Sequence, residues 1–305
     1  MKGGSHTHEP DKRNETVRIS INGAIVPRAK AMVSVFDSGF LLGDGVWEGI
    51  RLHNSRLLFE QAHIDRLYEG AKAIDIDIGM TKQQMSEAIY AVCAANDMTS
   101  GVHIRLVVTR GLKSTPYLSP SVNIGGPTVA IIPEWKAPDP GAAERMLNVA
   151  TVHVRRGYPD VQDPMLNSLS KLNCITACIQ AQKAGADEAL MLDPHGFVAT
   201  CNSTHFFIVR GGELWTSTGR YCLKGITRDA MLRLAGKAGL EPREKDFSLT
   251  EVYSADEAFL TGTFAGLLPV GKIDGRVIGD GRRGVKSELL QTLYADLVEQ
   301  ECPAA

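Results

Sequence analysis

Hydrophobic and polar positions along the chain fall into short segments of alternating period that give way to helical period. Val17, Ile19 and Ile21 alternate with polar residues and run into Asn22-Gly23, which predicts an opening β-hairpin. Val46 to Leu52 and Arg56 to Phe59 read as strands around His53-Asn54-Ser55, and Glu60 to Ile74 reads as a helix. Thr81 and Gln84 form a capping box that starts a second helix running to about Asn96. Val102 to Thr109 is a strand with His103 and Arg105 on one face, and Thr128 to Ile132 is another.

The second half repeats the mixture. A strand covers Leu147 to Val154. A helix follows whose apolar face is Leu169, Leu172, Ile175, Ala177, Ile179 and Ala181, closed by Lys183-Ala184-Gly185. Ala189 to Leu192 is a short apolar strand, Asp193-Pro194-His195-Gly196 a turn, and Phe197 to Ala199 the start of the return strand. Gly211-Gly212 turns into Glu213 to Thr216, and Gly225-Ile226-Thr227-Arg228 leads into a helix over Asp229 to Ala238. Ser248 and Glu251 form another capping box. Ala258 to Leu260 is a strand, Asp274-Gly275 a hairpin turn, and Val285 to Glu299 a terminal helix. The Pro- and Gly-rich run Pro133 to Gly141 has the composition of a linker. The expected organisation is therefore a disordered tail over 1–16, an N-terminal α/β domain over 17–132, an interdomain loop over 133–145 and a C-terminal α/β domain over 146–305.

Composition narrows the function classes. With 33 basic and 35 acidic residues the formal net charge is −2, which gives no electrostatic case for nucleic acid or an anionic membrane. No apolar run approaches the about 20 residues of a membrane span, and the polar start MKGGSHTHEPDKRNE lacks the apolar core of a secretory signal. His6 and His8 are read as part of a solvated tail rather than as metal ligands. Six cysteines lie scattered, and Cys174 and Cys178, although on one helix face, have no second pair at zinc spacing. Buried free thiols in a reducing cytoplasm, and no metal, are the expectation.

One run carries chemistry. Gly185-Ala186-Asp187-Glu188-Ala189, Leu192-Asp193, Gly196-Phe197-Val198 and Phe207-Ile208-Val209 follow in order, then Gly225-Ile226-Thr227-Arg228 and Thr261-Gly262-Thr263. Upstream, Gly43-Asp44-Gly45-Val46-Trp47-Glu48-Gly49-Ile50-Arg51 and His63-Ile64-Asp65-Arg66-Leu67 stand in the same series. This series resembles the class IV, or fold-type IV, aminotransferases and is nearest in pattern to branched-chain amino acid aminotransferase-like proteins. The resemblance covers roughly Val17 to Leu297.

The resemblance implies an α/β fold of α+β type, with two domains like the D-amino-acid aminotransferases and pyridoxal 5'-phosphate in the cleft between them. It implies a homodimer in which the partner's loop completes the site, an amino donor and a 2-oxoacid acceptor as substrates, and a loop at 133–141 that closes over the site. Arg66 takes the position that holds the cofactor phosphate, a task suited to a permanently charged guanidinium fork. Ile226 and Thr227, at a helix start whose backbone N–H groups favour an anion, share that role with Thr263. Phe264 and Ala265 take substrate-side positions. Trp47 replaces the family's usual phenylalanine, and His103 replaces the tyrosine of Tyr-x-Arg ahead of Arg105. Arg51 and Arg105 are candidates for a substrate carboxylate, with a structural ion pair as the alternative for each.

Two positions depart from the pattern. Counting back from Gly185, the Schiff-base lysine position falls on Asn167, and the nearest lysine, Lys171, is expected one helical turn on along the same face. Lys171 is thus the candidate catalytic amine, set against a surface lysine in a protein that has lost the reaction. The carboxylate position facing the pyridine nitrogen is Thr200, with Asn202 as a neighbour able to compensate. A transaminase using Lys171 is the leading expectation. A pyridoxal-phosphate lyase, or another non-transaminating enzyme, would suit Thr200, and a catalytically altered homologue would suit Asn167.

Overall fold

The structure is a computed structural model and describes residues 8–137 and 139–304. The expected tail through residue 7, including His6, lies outside the described residues. The chain forms two compact units. The first comprises Glu9–Ala137 together with Leu166–Lys171 and the chain from Glu301. The second comprises Pro138–Met165 and Leu172–Gln300, with the chain through His8. The unit break falls after Ala137 rather than at 133, and Lys12–Glu15 is a short 3-10 turn rather than disordered. Asp11 caps that turn, and Asn14 exchanges hydrogen bonds with the backbone of Trp135.

The first unit is a six-stranded antiparallel sheet in the order β2-β1-β6-β5-β3-β4. Its strands are β1 (Arg18–Ile21), β2 (Ala24–Pro27), β3 (Gly45–His53), β4 (Arg56–Leu57), β5 (Val102–Thr109) and β6 (Thr128–Trp135). The β1–β2 turn holds Asn22 and Gly23 at φ of 49° and 82°, the positive values a two-residue hairpin demands. The short helix α1 (Ser38–Leu42) is capped by Asp37 and stopped by Gly43. The helices α2 (Glu60–Ala73) and α3 (Lys82–Ala94) pack on one sheet face, and α3 begins at the predicted capping box. Pro133 sits inside β6 because β1 pairs only with Ala130 and Ile131, so the missing N–H costs no ladder bond.

Alternation on β3 drives the packing. Val46, Ile50 and Leu52 enter the core with Ile104, Leu106 and Val108 of β5, against Ile64 and Leu67 of α2 and Met85, Ile89 and Val92 of α3. Glu48 lies on that same inward face and is fully buried. Its carboxylate accepts two hydrogen bonds from Arg66, from Nε at 2.8 Å and Nη2 at 2.7 Å, and contacts His63 Nδ1 at 2.7 Å. Burial opposes its ionisation most strongly. The bonds from Arg66 and His63 together outweigh that and hold the carboxyl at about 2. His63 is itself pushed down by burial, so the neutral ring donates through Nδ1, and its Nε2 finds no hydrogen-bond partner among the described residues.

The second unit holds a nine-stranded mixed sheet. Its strands are β7 (Leu147–Thr151), β8 (Glu188–Leu192), β9 (Val198–Cys201), β10 (His205–Arg210), β11 (Glu213–Thr216), β12 (Glu241–Glu244), β13 (Glu257–Gly262), β14 (Gly266–Ile273) and β15 (Arg276–Val277). The path runs β12-β11-β10-β13-β14-β7-β8-β9, with β15 on β14. The helices are α4 (Pro159–Gln162), α5 (Leu172–Lys183), α6 (Ile226–Leu234), α7 (Leu249–Tyr253) and α8 (Val285–Glu301). The core packs Phe206 and Ile208 against Leu260, Leu268 and Val270. On α5 the burial reverses the sequence expectation: Ala177 and Ala181 are buried, while Leu172, Ile175 and Ile179 are 74 %, 53 % and 45 % exposed. All six cysteines are free, and no helix among the described residues is long and apolar enough to cross a membrane.

The Glu48 cluster sets an acid limit on stability. Both Glu48 and His63 have folded values below their unfolded ones, so each contributes stability above its unfolded value that is lost as pH falls. Chemical denaturation of the wild type should show a first decline below about 6.5 from His63 and a steeper one from about 4.5 towards 2 from Glu48. Glu48→Gln should cost about 3 kcal/mol at pH 7 and flatten the lower limb. An unchanged acid limb in the variant would remove Glu48 from this account.

Candidate functional site

The outward face of β3 carries Trp47, Gly49 and Arg51. Register places Arg105 opposite Gly49, His103 opposite Arg51, and Glu134 of β6 opposite His103. Trp47, Arg51, His103, Arg105 and Glu134 therefore share one side of the first unit's sheet. Gly49 leaves room for the imidazole of His103, because a Cβ there would stand 3.1 Å from His103 Nε2. The Arg105 guanidinium lies 3.7 Å from the centroid of the Trp47 ring, a stacked arrangement worth roughly 0.5–2 kcal/mol. Two guanidiniums against one carboxylate leave this face positive, which suits a carboxylate ligand.

Residues 167–169 form an extra edge on β3. Trp47 donates its N–H to Asn167 O at 3.0 Å, Leu169 N–H donates to Gly45 O at 2.9 Å, and Ser168 bridges Val46. The Asn167 amide donates to Trp47 O at 2.7 Å, and the Trp47 indole N–H donates to Ser168 O at 3.1 Å. This corrects the expected helix: Asn167 and Lys171 lie in an extended segment and α5 starts only at Leu172. The reason is the free edge of β3, since β4 pairs only with Leu52 and His53 and leaves backbone groups near Trp47 to be satisfied. The half-buried Lys171 still reaches this face, with Nζ 5.6 Å from the Trp47 ring centroid. Trp47 thus gathers the amine of Lys171 and the guanidinium of Arg105. Arg66, on α2, is fixed by the two-pronged bond to Glu48 and has 16 % of its side chain exposed.

In the second unit the remaining predicted residues gather around one end of β10. Thr200, on β9, is buried and donates its hydroxyl proton to Thr204 O at 2.9 Å. Asn202 is committed to structure: its amide oxygen accepts the Ala189 N–H at 2.7 Å and its own N–H donates to Ala189 O. These two bonds hold the turn after β9. Ile226 and Thr227 form the first turn of α6, where Gly225 stands at the N-cap without a side-chain cap. Thr263, Phe264 and Ala265 make the three-residue turn between β13 and β14, with Gly266 at φ 68°. Phe264 is buried and meets the ring of His8 edge-on at 6.1 Å.

Three further residues take on their meaning only in the folded chain. In the sequence Glu48 stands only as part of a motif, and alternation on β3 is the signal that it points inward. Thr261 is buried, and its Oγ1 has no hydrogen-bond partner among the described residues. It pairs with His205 across β13 and β10. His205 stands where the N-x-F-x-V pattern has asparagine, and that departure is legible.

Comparison with known proteins accords with this layout. The model of the family described as amino-transferase class IV matches residues 45–273. The chain is 42 % identical over 282 residues to a putative branched-chain-amino-acid aminotransferase of Methanocaldococcus jannaschii, covering 92 % of this chain and 96 % of that one. It is 38 % identical over 294 residues to branched-chain-amino-acid aminotransferase-like protein 2 of Arabidopsis thaliana, covering 95 % of this chain and 52 % of that relative, so it spans about half that relative's length. Among solved structures, the branched-chain amino acid aminotransferase of Thermoproteus uzoniensis with norvaline superposes with a TM-score of 0.84 at 31 % identity, covering 94 % of this chain and 96 % of that one. With the family model matched over residues 45–273 and the Methanocaldococcus jannaschii relative matched nearly end to end at 42 % identity, the chain belongs to the class IV aminotransferase family.

Proposed function

We propose that this chain is a pyridoxal 5'-phosphate-dependent aminotransferase of branched-chain-like type, moving an amino group between an amino acid and a 2-oxoacid. The observation that carries the reading is the Lys171 amine beside the Trp47–Arg105 stack, since the family's chemistry needs one amine and position 167 supplies none. The donor set suits the phosphate. In the second unit Thr261 Oγ1 is an orphaned buried hydroxyl and α6 starts without a side-chain cap, and in the first unit the motif gives Arg66 the phosphate position. Thr227, Ile226 and Thr263 complete the proposed phosphate ligands.

When bound, pyridoxal phosphate supplies an aldehyde for the amine and an electron-withdrawing ring. Lys171 Nζ would move the proton from the substrate Cα to the cofactor's C4′, the transfer that transamination requires. Arg51, Arg105 and His103 orient the substrate carboxylate, and Trp47 holds Lys171 and Arg105 in register. Phe264 and Ala265 line the substrate side of the second unit. Thr200, whose proton is committed to Thr204 O, would meet the ring nitrogen with a neutral oxygen instead of a carboxylate, and so would favour a proton there less strongly.

The protein acts as a homodimer in a reducing, cytoplasmic setting. Exposed Met32, Val35, Phe36 and Phe40 in the first unit, and Leu172 and Ile175 in the second, call for cover, and the free thiols suit that compartment.

Borohydride reduction of the full chain with added pyridoxal phosphate, followed by peptide mapping, should place a pyridoxyl label on Lys171, and Lys171→Ala should abolish both label and transamination. A label elsewhere, or none, would overturn the assignment of the amine. Light scattering should give twice the 33.0 kDa chain mass, with Phe40→Glu shifting it to the monomer.

A further inference from the structure

The first unit has a cleft on the helix side of its sheet, opposite the face that carries Trp47. The second half of α2, the loop to α3 and Lys82, the first residue of α3, enclose about 450 Å3 there. That volume suits a small molecule.

The walls are already ordered. Arg110 donates to Ile74 O at 2.7 Å and to Asp75 O at 2.8 Å, where the loop begins. The same guanidinium grips the Asp44 carboxylate at 2.7 Å and 3.0 Å, which anchors the loop to the turn ahead of β3. Further along, Asp77 Oδ1 accepts the Gly79 N–H at 2.9 Å, and the capping box at Thr81 starts α3. The Tyr68 hydroxyl donates to Met80 O at 2.7 Å, so it is spent on holding the loop and leaves the ring to line the cleft. Ala71, Ile76 and Ile78 are buried and complete an apolar floor with that ring. A ligand entering a preformed cleft of this kind loses little to ordering the protein.

The rim carries charge of both signs. Lys82 is paired with Asp65 at 2.7 Å. Lys72, Glu69 and Asp77 also line the cleft, and they form no ion pair among the described residues. A purely anionic ligand would meet Glu69 and Asp77, and a purely cationic one would meet Lys72. The carboxylates do not form a metal site, since no group of three ligating side chains among the described residues could hold a metal ion.

We propose that this cleft binds a free aliphatic amino acid as its zwitterion. The ligand carboxylate faces Lys72, its ammonium faces Glu69 and Asp77, and its hydrocarbon side chain lies on Tyr68, Ala71, Ile76 and Ile78. Hydrocarbon burial supplies most of the affinity, and the exposed rim charges select the zwitterion. The site is separate from the residues assigned to the reaction and does not rest on that assignment.

The test uses L-photoleucine, a leucine analogue with a diazirine in its side chain, irradiated with the full chain and followed by peptide mapping. A label should fall within residues 65–82, and excess L-leucine should remove it. 4-Methylpentanoate and 3-methylbutylamine keep the hydrocarbon and one charge each, and both should compete several-fold less well than L-leucine. Lys72→Glu and Glu69→Lys, at exposed positions, should each keep the wild-type circular dichroism and lose the label several-fold. No label within 65–82, or a label there that L-leucine does not remove, would overturn the site. Equal labelling of both variants and the wild type, or equal competition by the two single-charge analogues, would overturn recognition of a zwitterion.

Discussion

A carboxylate buried among aliphatic side chains is tolerated only where charge and hydrogen bonds meet it on every side. Glu48 imposes that condition on the first unit. Its position on β3 forces α2 to present His63 and Arg66 inward, one helical turn apart, so the ladder and the helix are fixed to one another by charge as well as by Ile50, Ile64 and Leu67. The same strand, read on its other face, places Trp47, Arg51 and the partners of His103 and Arg105. The buried ion cluster and the outward polar face are thus two consequences of one alternating strand, and a one-residue slip in β3 would exchange them.

Local chemistry makes much of this legible in the amino-acid sequence alone. Asn22-Gly23, the capping boxes at Thr81 and Ser248, and the strand over Val102 to Thr109 each depend on a few adjacent residues, and each appears where the sequence places it. Errors arise where a distant segment decides the outcome. Residues 167–169 have helical periodicity but pair instead with a vacant strand edge more than a hundred residues away. Pro133 looks like the start of a linker, and only the shortness of β1 reveals why a strand can pass through it. The exposed leucine and isoleucines of α5 form a good apolar stripe, yet its small residues are what the sheet accepts.

The site shows the same division. Motif order identifies the start of α6 and the turn at Thr263 to Ala265, because both depend on local backbone geometry that travels with the motif. Sequence does not show that Asn202 is committed to Ala189, or that the hydroxyl of Thr200 gives its proton to Thr204 O, since both follow from the path of the turn after β9. His205 stands in plain view as a departure from the pattern, but its place in the fold depends on Gly225, twenty positions on, leaving the space the ring occupies.

Asn167 and Trp47 exchange two backbone-level contacts, and the indole is tied to Ser168 as well. Only one of these bonds uses the asparagine side chain. The course of the segment along β3 thus rests mainly on backbone groups, and it is the strand edge, more than the side chain at 167, that sets Lys171 down beside Trp47.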